Sequence, residues 1–483
     1  MTAWLLDLWP YAVALVNLVR ALGTSLHAVV YKRETRAVIA WVGLIWLAPL
    51  VGALLYILFG VNRIRRQAQA LRAGRGRAVS APLQQACARE DVARVLGVEG
   101  TNLQSQVHLV GRVTDRPLLA GNHVTCLVNG DEAYPAMLEA IERAHSSIAL
   151  CTYIFDNDRA GRMFVAALGR AVARGVDVRV LVDDVGARYT WPSILRPLRR
   201  AGVRVARFLP TLGPRSVRFS NLRTHRKLLV VDGRTGFTGG MNIREGNLVA
   251  GGSRHPVQDL HFCLEGPVVA ELMEVFARDW AFSAQESLED ERWFPPIAST
   301  GPVLARAVPD GPDDDFDTLP LTLLGAISAA QRSLSILTPY FLPDEALVKA
   351  LGVAALRGVE VRILLPEKGN LPLVQWASTA MLWQVLEHGC RLWRTPPPFD
   401  HGKLMIVDDM WALIGSANWD PRSLRLNFEL NVELYHREFA ADLQALFERK
   451  RAAGREITLE EVDGRPLPVR VRDGIARLAS PYL

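Results

Sequence analysis

Two eight-residue stretches decide the fold of this 483-residue chain: His225-Arg-Lys-Leu-Leu-Val-Val-Asp232 and His401-Gly-Lys-Leu-Met-Ile-Val-Asp408. Each holds a histidine, a lysine two residues later, four apolar strand formers and an aspartate. Each is followed by Gly-x-x-Asn, whose asparagine, Asn242 or Asn418, lies 17 residues after the histidine. Side chains two apart in a strand share a face. Each stretch therefore predicts an imidazole and an ammonium in one pocket, with the glycine turn aiming the amide into it.

The chain before each stretch repeats one order of elements. A predicted helix, strand, helix and strand over 137–182 precede the first stretch, and the same order over 319–365 precedes the second. Strands that alternate with helices at this spacing predict an α/β fold with a largely parallel, buried sheet. We therefore expect two pseudo-symmetric α/β halves packed around one active site, preceded by amino-terminal transmembrane helices.

Composition and the repeat together predict the domain boundaries. The interval between the halves contains several prolines and the acidic run Asp313-Asp314-Asp315, which indicates a solvated connection and not a core element. The predicted units are a membrane anchor with two transmembrane helices (1–62), a basic juxtamembrane linker (63–106), a first half (107–290), an inter-half linker (291–318) and a second half with a carboxy-terminal tail (319–483).

Two apolar segments at the amino end predict membrane insertion. Residues 37–61 carry no formal charge over 25 positions, and as one helix they would span about 37 Å, enough for a hydrocarbon core of about 30 Å. Residues 4–31 are predicted as a first crossing, although Asp7, Arg20 and His27 interrupt the segment, and a helix lying in the interface is the alternative. Six arginines at 63–77 outnumber the three basic residues between the segments, which predicts a cytoplasmic body.

The net charge of +6 is unevenly distributed. Residues 1–80 carry +8 and the other 403 residues carry −2, so the body lacks the basic surplus of a nucleic-acid binder. The five cysteines show neither CxxC nor CxxH spacing, which argues against a disulfide framework and a thiolate zinc site. We therefore expect no nucleic-acid partner, and nothing in the sequence indicates a protein partner.

The two stretches have a composition suited to phosphoryl transfer. The chain has six lysines against fifty arginines, yet Lys227 and Lys403 each lie two residues after a histidine. Ammonium and amide groups suit phosphoryl oxygens, while one neutral imidazole attacks phosphorus and a second, protonated one supplies a proton. This chemistry needs no metal and no cofactor. Each imidazole also needs an acceptor on its other nitrogen; the candidates are Asp259, after the first stretch, and Glu429, after the second.

These residues resemble the motifs of the phospholipase D superfamily. The resemblance rests on the paired His-x-Lys-x-x-x-x-Asp stretches, each with its Gly-[Gly/Ser]-x-Asn. Over 10–483 the chain resembles the bacterial cardiolipin synthase family through its paired amino-terminal segments ending at 58–63, Thr-Pro-Tyr-Phe-Leu-Pro-Asp-Glu at 338–345, and Asn427-Phe428-Glu429. It departs from that pattern at Gly240, where many members carry a hydroxyl, as Ser416 does here.

The resemblance implies phosphatidyl transfer through a phosphohistidine, with His225 as the nucleophile and His401 as general acid and then base, or the reverse. Asp232 and Asp408 match the motif carboxylates, but their place seven residues along the strand indicates a structural role. The implied site residues are catalytic His225, Lys227, Asp232, His401, Lys403 and Asp408, substrate-binding Asn242, Asn418, Ser416 and Gly240, and histidine-orienting Asp259 and Glu429.

The implied reaction joins two phosphatidylglycerol molecules into cardiolipin and glycerol at a bacterial inner membrane. Anchoring the site at the bilayer raises the effective concentration of a lipid alcohol relative to a soluble one, while water is the competitor. The sequence leaves three alternatives open: a hydrolytic phospholipase D with the same residues, a nuclease, and a non-catalytic membrane scaffold. Phosphatidylethanolamine is an alternative second lipid.

Overall fold

A computed structural model describes residues 2–32, 35–57, 86–87, 89–210, 222–312 and 315–480. The chain forms two compact units, 1–70 and 71–483. Several features used above lie outside the described residues: the 58–63 motif, the arginine cluster at 63–77, Asp313 and Asp314 of the acidic run, and residues 481–483.

The helices are α1 Thr2–Tyr31, α2 Thr35–Leu47, α3 Pro49–Leu55, α4 Arg89–Leu96, α5 Gln104–Thr114, α6 Asn129–Arg143, α7 Arg159–Ala173, α8 Leu195–Arg200, α9 Val268–Ala284, α10 Thr318–Ala329, α11 Glu345–Leu356, α12 Pro372–Thr379, α13 Trp383–Leu386, α14 Pro421–Arg425, α15 Arg437–Ala453, α16 Leu459–Asp463 and α17 Leu467–Leu478. The strands are β1 Leu119–Val128, β2 Ser147–Thr152, β3 Asp177–Asp183, β4 Arg204–Phe208, β5 Arg223–Thr224, β6 Leu228–Val231, β7 Thr235–Gly239, β8 Val257–Gln258, β9 Leu260–Glu265, β10 Val303–Asp310, β11 Ser333–Leu337, β12 Glu360–Pro366, β13 Arg391–Thr395, β14 Phe399–Asp400, β15 Leu404–Val407, β16 Trp411–Gly415, β17 Asn427–Tyr435 and β18 Arg455–Ile457.

The amino-terminal unit is helical. Its first helix, α1, contains a 23-residue apolar stretch, Trp9–Tyr31, long enough to cross a membrane. The prediction of one continuous helix over 37–61 is wrong in its described part, because the chain leaves helical geometry at Ala48 before α3 begins at Pro49. Proline lacks an N–H and its ring disfavours a helical residue before it. Among the described residues, α1 is thus the one helix that meets the length for a span.

The body is built on a mixed sheet that repeats itself. The strand order is β18-β13-β12-β11-β15-β16-β17-β10-β1-β9-β7-β6-β2-β3-β4, so β9-β7-β6-β2-β3-β4 in one half matches β17-β16-β15-β11-β12-β13 in the other. The α/β repeat is confirmed. Within this strand order the mutually parallel strands are β2-β3-β4 in one half and β11-β12-β13 in the other; the other neighbours in the order pair antiparallel.

The antiparallel part arises in the eight-residue stretches themselves. Asp232 and Gly233 both have φ near +60°, as do Asp408 and Asp409. Two such residues in succession form the tight turn that joins the strands of a hairpin. Each stretch is therefore the first strand of a hairpin, β6–β7 or β15–β16, which accounts for the departure from a largely parallel sheet.

The predicted inter-half linker contains a central strand. Val303–Asp310 forms β10, buried along its whole length between β1 and β17, so the prediction of a linker over 291–318 is wrong for these eight residues. Its prolines and acidic neighbours suggested a loop. The strand also carries a buried arginine, Arg306, whose Nε donates to Glu433 at 2.6 Å and whose Nη2 donates to the Val107 carbonyl at 2.9 Å.

The described end of the predicted juxtamembrane linker also belongs to the body. Val92, Leu96 and Leu103 are buried in the hydrophobic core of the second half. The Asn102 amide donates to the Ala329 carbonyl at 2.7 Å. The boundary at 106 is therefore wrong for 89–106, because apolar side chains among its charged ones pack into the core of the second half, where this segment contacts α10.

Each half has its own hydrophobic core beside the shared sheet. The helix after the first parallel strand begins in the same way in both: Asp158 caps α7 by accepting from the Gly161 N–H, and Asp344 caps α11 by accepting from the Leu347 N–H. Such caps satisfy N–H groups that have no partner within the helix. The repeat is thus visible in local capping as well as in strand order.

The aspartates that end the two stretches connect elements of the fold. Asp232 accepts from the backbone N–H groups of 145–147 at 2.7–2.9 Å. Asp408 accepts equally from the N–H groups of 331–333 at 2.7–3.0 Å, and from the Asn102 amide at 3.0 Å. Both carboxylates therefore tie the hairpin turn to the start of the neighbouring strand, β2 or β11.

Replacing Asp408 by alanine should destabilise the body, because three backbone N–H groups and an amide lose their acceptor. The expected cost is about 1–3 kcal/mol, measured as a lower midpoint of thermal unfolding of the full chain in detergent. Asp442→Ala, at an exposed position on α15, is the control. An unchanged midpoint in Asp408→Ala would contradict the structural role.

Candidate active site

The histidine and lysine of each stretch lie just before its strand. His225, Arg226 and Lys227 lie between β5 and β6, which begins at Leu228. The second pair lies between β14 and β15 in the same way. The sequence placed these side chains within the strands; the structure places them at the entry, where the backbone also bonds across to the other half.

Two short strand pairs join the halves at this point. β5 pairs with the start of β17, and β14 pairs with β8, both parallel. The His225 N–H donates to the Phe428 carbonyl at 2.9 Å, and the His401 N–H donates to the Gln258 carbonyl at 2.7 Å. The backbone of each histidine is therefore held by the opposite half, one residue before that half's candidate carboxylate.

The carboxylates orient the histidines across the halves. His225 Nδ1 lies 3.0 Å from both carboxylate oxygens of Glu429, and His401 Nδ1 lies 2.8 Å from Asp259 Oδ2. The sequence placed each carboxylate after the histidine of its own half, whereas the structure pairs it with the other histidine. An ionised carboxylate only accepts, so each neutral imidazole carries its proton on Nδ1 and its lone pair on Nε2.

The two lysines are buried beside the imidazoles. Lys227 Nζ donates to the His225 carbonyl at 2.5 Å, while Lys403 Nζ donates to the His401 carbonyl and lies 3.0 Å from His401 Nδ1. Burial lowers the pKa of Lys227 to about 7 and that of Lys403 to about 8, although the negative charges of Glu429 and Asp259 raise both pKa values.

The electrostatics show that the two motifs form one site. Burial, together with the positive charges on Lys227 and Lys403, lowers the pKa of His225 and of His401 to about 4, although Glu429 raises the first and Asp259 the second. Burial alone would raise the pKa of Glu429, but His225, Lys227 and the Ser416 hydroxyl outweigh it and the pKa is lowered. The site thus holds ionised carboxylates and, at pH 7, two neutral imidazoles, where the sequence argument expected one protonated.

The two motif asparagines are buried near these groups. Asn242 Oδ1 accepts from the Ile154 N–H at 3.1 Å, which fixes the orientation of that amide. Asn418 lines the same small cavity as Lys403. Within the described part of the chain, no group hydrogen-bonds to the buried Asn418 Oδ1. The Asn418 Oδ1 atom is therefore available to accept a hydrogen bond from a ligand.

Ser416 and Gly240 lie against the orienting carboxylates, and their role in binding substrate stays a prediction. The Ser416 hydroxyl donates to Glu429 Oε2 at 2.5 Å and accepts from the Leu430 N–H at 3.0 Å. A Cβ at Gly240 would lie 2.2 Å from Asp259 Oδ1. The glycine is therefore required because the Asp259 carboxylate occupies the space that a side chain would fill.

Two tyrosines at the site were given no role by the sequence argument. The Tyr153 ring packs edge-on against His225 with centroids 5.4 Å apart, and Tyr340 packs edge-on against His401 at 6.2 Å. Each follows the first parallel strand of its half. Comparing the two halves residue by residue after β2 and β11 would have found both, because each lies one or two residues after a threonine, Thr152 or Thr338.

Arg226, between the histidine and lysine of the first stretch, is a buried support. It pairs with Asp279 at 2.5 Å, and its Nε donates to the Glu429 carbonyl at 2.9 Å. The second stretch has Gly402 at this position. Nothing in the spacing distinguished this arginine, since its role depends on a helix and a strand far away in sequence.

Comparison with known proteins shows the family of the chain and its fold. The family described as "Cardiolipin synthase, PLD-like domain" matches 137–280 and 323–451, more than half of the chain. The family described as "Phospholipase_D-nuclease N-terminal" matches 11–60. The solved phosphatidylserine synthase of Haemophilus influenzae Rd KW20 shares the fold, with a TM-score of 0.60 and 17% identity over 78% of this chain and all of that one.

Curated relatives match nearly the whole chain. Cardiolipin synthase A of Pseudomonas fluorescens is 34% identical over 478 residues, 98% of each chain. Cardiolipin synthase A of Pseudomonas entomophila is 34% identical over 476 residues, 97% of this chain and 98% of the relative. The resemblance expected from the paired stretches is confirmed, and the chain belongs to the cardiolipin synthase family of the phospholipase D superfamily.

Proposed function

We propose that this phosphatidyl-transferring enzyme makes cardiolipin and glycerol from two phosphatidylglycerol molecules by way of a phosphohistidine. The observation that carries the proposal is the crossed pairing of His225 with Glu429 and of His401 with Asp259, at 3.0 and 2.8 Å. It presents two imidazoles with free Nε2 lone pairs from opposite halves of one buried site. One phosphodiester needs such a pair, a nucleophile on one side and a proton donor on the other.

In the first step His225 Nε2 attacks phosphorus. The new N–P bond replaces the bond from phosphorus to the glycerol oxygen, and that oxygen takes a proton from His401. In the second step neutral His401 removes the proton from a hydroxyl of the second phosphatidylglycerol, whose oxygen replaces His225 on phosphorus. His225 is thereby regenerated, and the proton taken from the hydroxyl restores the protonated form of His401.

His401 must gain a proton before the first step, and the substrate itself favours this. Burial holds the pKa of His401 near 4, and an anionic phosphodiester beside the ring raises it by stabilising the imidazolium. Lys227, Lys403, Asn242 and Asn418 would hold the phosphoryl oxygens, whose charge increases in the transition state. The proposed steps use no metal or cofactor.

The proposed location is a bacterial cell membrane, with the body on the cytoplasmic side. α1 serves as one crossing, and α2 with α3 serves as a second, kinked one, since helix breaks at proline are tolerated within membranes. The arginine cluster after these segments supports the cytoplasmic orientation. The body as a whole carries a charge of −2, so it lacks the basic surplus that a nucleic-acid substrate would favour.

Product analysis tests the function directly. Full-length protein reconstituted with phosphatidylglycerol should form cardiolipin and glycerol in equal amounts, measured by mass spectrometry and an enzymatic glycerol assay. His225→Ala should abolish both products. Phosphatidic acid as the main lipid product would show instead that water resolves the intermediate and that the enzyme is a hydrolase.

The roles of the two histidines can be separated with a phosphatidyl ester of p-nitrophenol, whose leaving group needs no proton. His401→Ala should still release nitrophenol and accumulate an adduct on His225, since the base for the second step is missing. In His225→Ala the release should fall about a thousandfold or more. An adduct on His401 in the His225→Ala variant would reverse the assignment.

With the p-nitrophenyl ester, whose leaving group needs no proton from His401, the pH dependence of kcat/KM for nitrophenol release should follow the other buried groups. His225 is protonated below its pKa of about 4, so activity should fall on that side. Lys227 and Lys403 lose their charge as the pH rises through about 7 and about 8, so activity should fall there as well. Arginine stays charged throughout this range, so in Lys227→Arg the residual activity should have its alkaline limb set by Lys403 alone. A limb that stays near pH 7 in this variant would contradict the assignment.

A further inference from the structure

The last described helix, α17, has an apolar surface that the other described residues leave exposed. Leu467, Val471, Ile475 and Leu478 are all exposed. At about 100° per residue these four positions fall within an arc of about 80°. We call them the apolar stripe. A helix in a soluble body normally turns such a row inwards, so its outward direction needs a physical reason.

The opposite side of α17 is packed against the body. Ala476 is buried in one cluster with Val374 and Ala377 of α12 and with Leu342. Asp473 on the same side is buried and paired with Arg465 and Arg472. Since these buried positions lie roughly half a turn from the stripe, the stripe faces directly away from the protein.

Arginines border the stripe on both sides. On a helical projection Arg470 and Arg477 lie on one border and Arg472 lies on the other, and all three are exposed. Arg472 also packs over the Trp376 ring, 4.6 Å from its centroid. An apolar row bordered by arginines is the composition of a helix that lies in the interface of an anionic membrane.

α17 is connected to the active site by packed side chains. The cluster that buries Ala476 includes Leu342 and, at its margin, Tyr340. Tyr340 is the residue whose ring packs edge-on against His401. The stripe is therefore one packing layer from the second-half wall of the site.

Further exposed apolar residues occur in both halves at this edge of the sheet. Leu371 and Leu373 follow β12, and Tyr189 and Trp191 follow the equivalent strand β3. Trp191 is 91% exposed. Tyr189 contacts Tyr153, the tyrosine beside His225. The carboxyl ends of parallel strands meet at one edge, so these four residues, the rim residues, lie near the site on both sides.

We infer that the apolar stripe and the rim residues form a docking surface for an anionic lipid bilayer, which presents the phosphatidylglycerol headgroup to the site. The inference rests on the proposed function, because that substrate resides in the bilayer. Charge complementarity favours the membrane as the occupant: arginines border the stripe, and the lipid is anionic. Exposed tryptophan and tyrosine are also the residues that favour the headgroup level.

The activity test uses full-length protein in phosphatidylcholine vesicles and two forms of substrate. One is long-chain phosphatidylglycerol within the vesicle, and the other is water-soluble dihexanoyl phosphatidylglycerol. The variant V471E/I475E places charge on the stripe without touching a buried residue. We expect cardiolipin formation from the bilayer substrate to fall about tenfold or more, with turnover of the soluble substrate unchanged.

The control variant is V353E/L356E on α11. Val353 and Leu356 are 54% and 71% exposed, against 51% and 63% for Val471 and Ile475. α11 connects β11 to β12, so its carboxyl end lies at the opposite edge of the sheet. The control should retain both activities.

The possible results distinguish membrane docking from the other roles that the stripe could have. Unchanged bilayer activity in V471E/I475E overturns the inference. Equal loss with both substrates also overturns it, because the stripe would then support the site itself. A change of oligomeric state in V471E/I475E, measured by cross-linking in the vesicles, would show that the stripe contacts a second copy of the chain and overturns membrane docking.

A measurement that does not depend on enzyme activity tests membrane docking separately from the proposed function. A fluorophore on Ile475→Cys should be quenched by brominated phosphatidylglycerol in the vesicles, beyond any quenching seen in wild-type protein treated with the same reagent. Absence of quenching overturns docking, whatever the activity. Quenching in a protein that makes no cardiolipin would support docking and contradict the proposed reaction.

Discussion

Each imidazole of the active site depends on a carboxylate from the other half of the chain. His225 is 204 residues from Glu429, and His401 is 142 residues from Asp259. Neither half by itself would hold its histidine in the tautomer that exposes the Nε2 lone pair. The strand pairs β5–β17 and β14–β8, which join the halves beside these residues, therefore belong to the proposed catalytic arrangement as well as to the fold.

The sheet is arranged to make this crossing rigid. The central strands β9, β1, β10 and β17 form one continuous antiparallel set, so Asp259, just before β9, and Glu429, within β17, are fixed relative to each other. Arg226 adds a buried connection from the first motif to α9 and to the Glu429 carbonyl. Asp232 and Asp408 hold the hairpins from the other end. The site is thus supported by backbone pairing and not by flexible loops.

Burying this many ionisable groups is costly unless they are paired. The two carboxylates offset the two lysines, and the imidazoles remain neutral because burial and the lysine charges lower their pKa values. This buried polar site also lies near the exposed apolar rim residues, which suits a substrate whose headgroup is polar and whose chains are not.

The sequence alone specified the repeat, the two His-x-Lys stretches, the asparagines and the two carboxylates, because each is encoded by local spacing. Four apolar residues define a strand, and a glycine marks a turn. The strand β10 was missed because prolines and acidic residues flank a short apolar run that local patterns cannot distinguish from a loop. The helix break at Ala48 was missed because the prediction relied on the absence of charge over 37–61 and took no account of Pro49.

Tertiary structure alone decided which carboxylate hydrogen-bonds to which histidine and which face of α17 is exposed. It also decided that Ser416 and Gly240 lie against carboxylates. These relations join residues far apart in the chain, and they depend on how two hydrophobic cores share one sheet. A periodicity of two or 3.6 residues reports only which face of an element is buried. It contains no information about the half against which that face will pack.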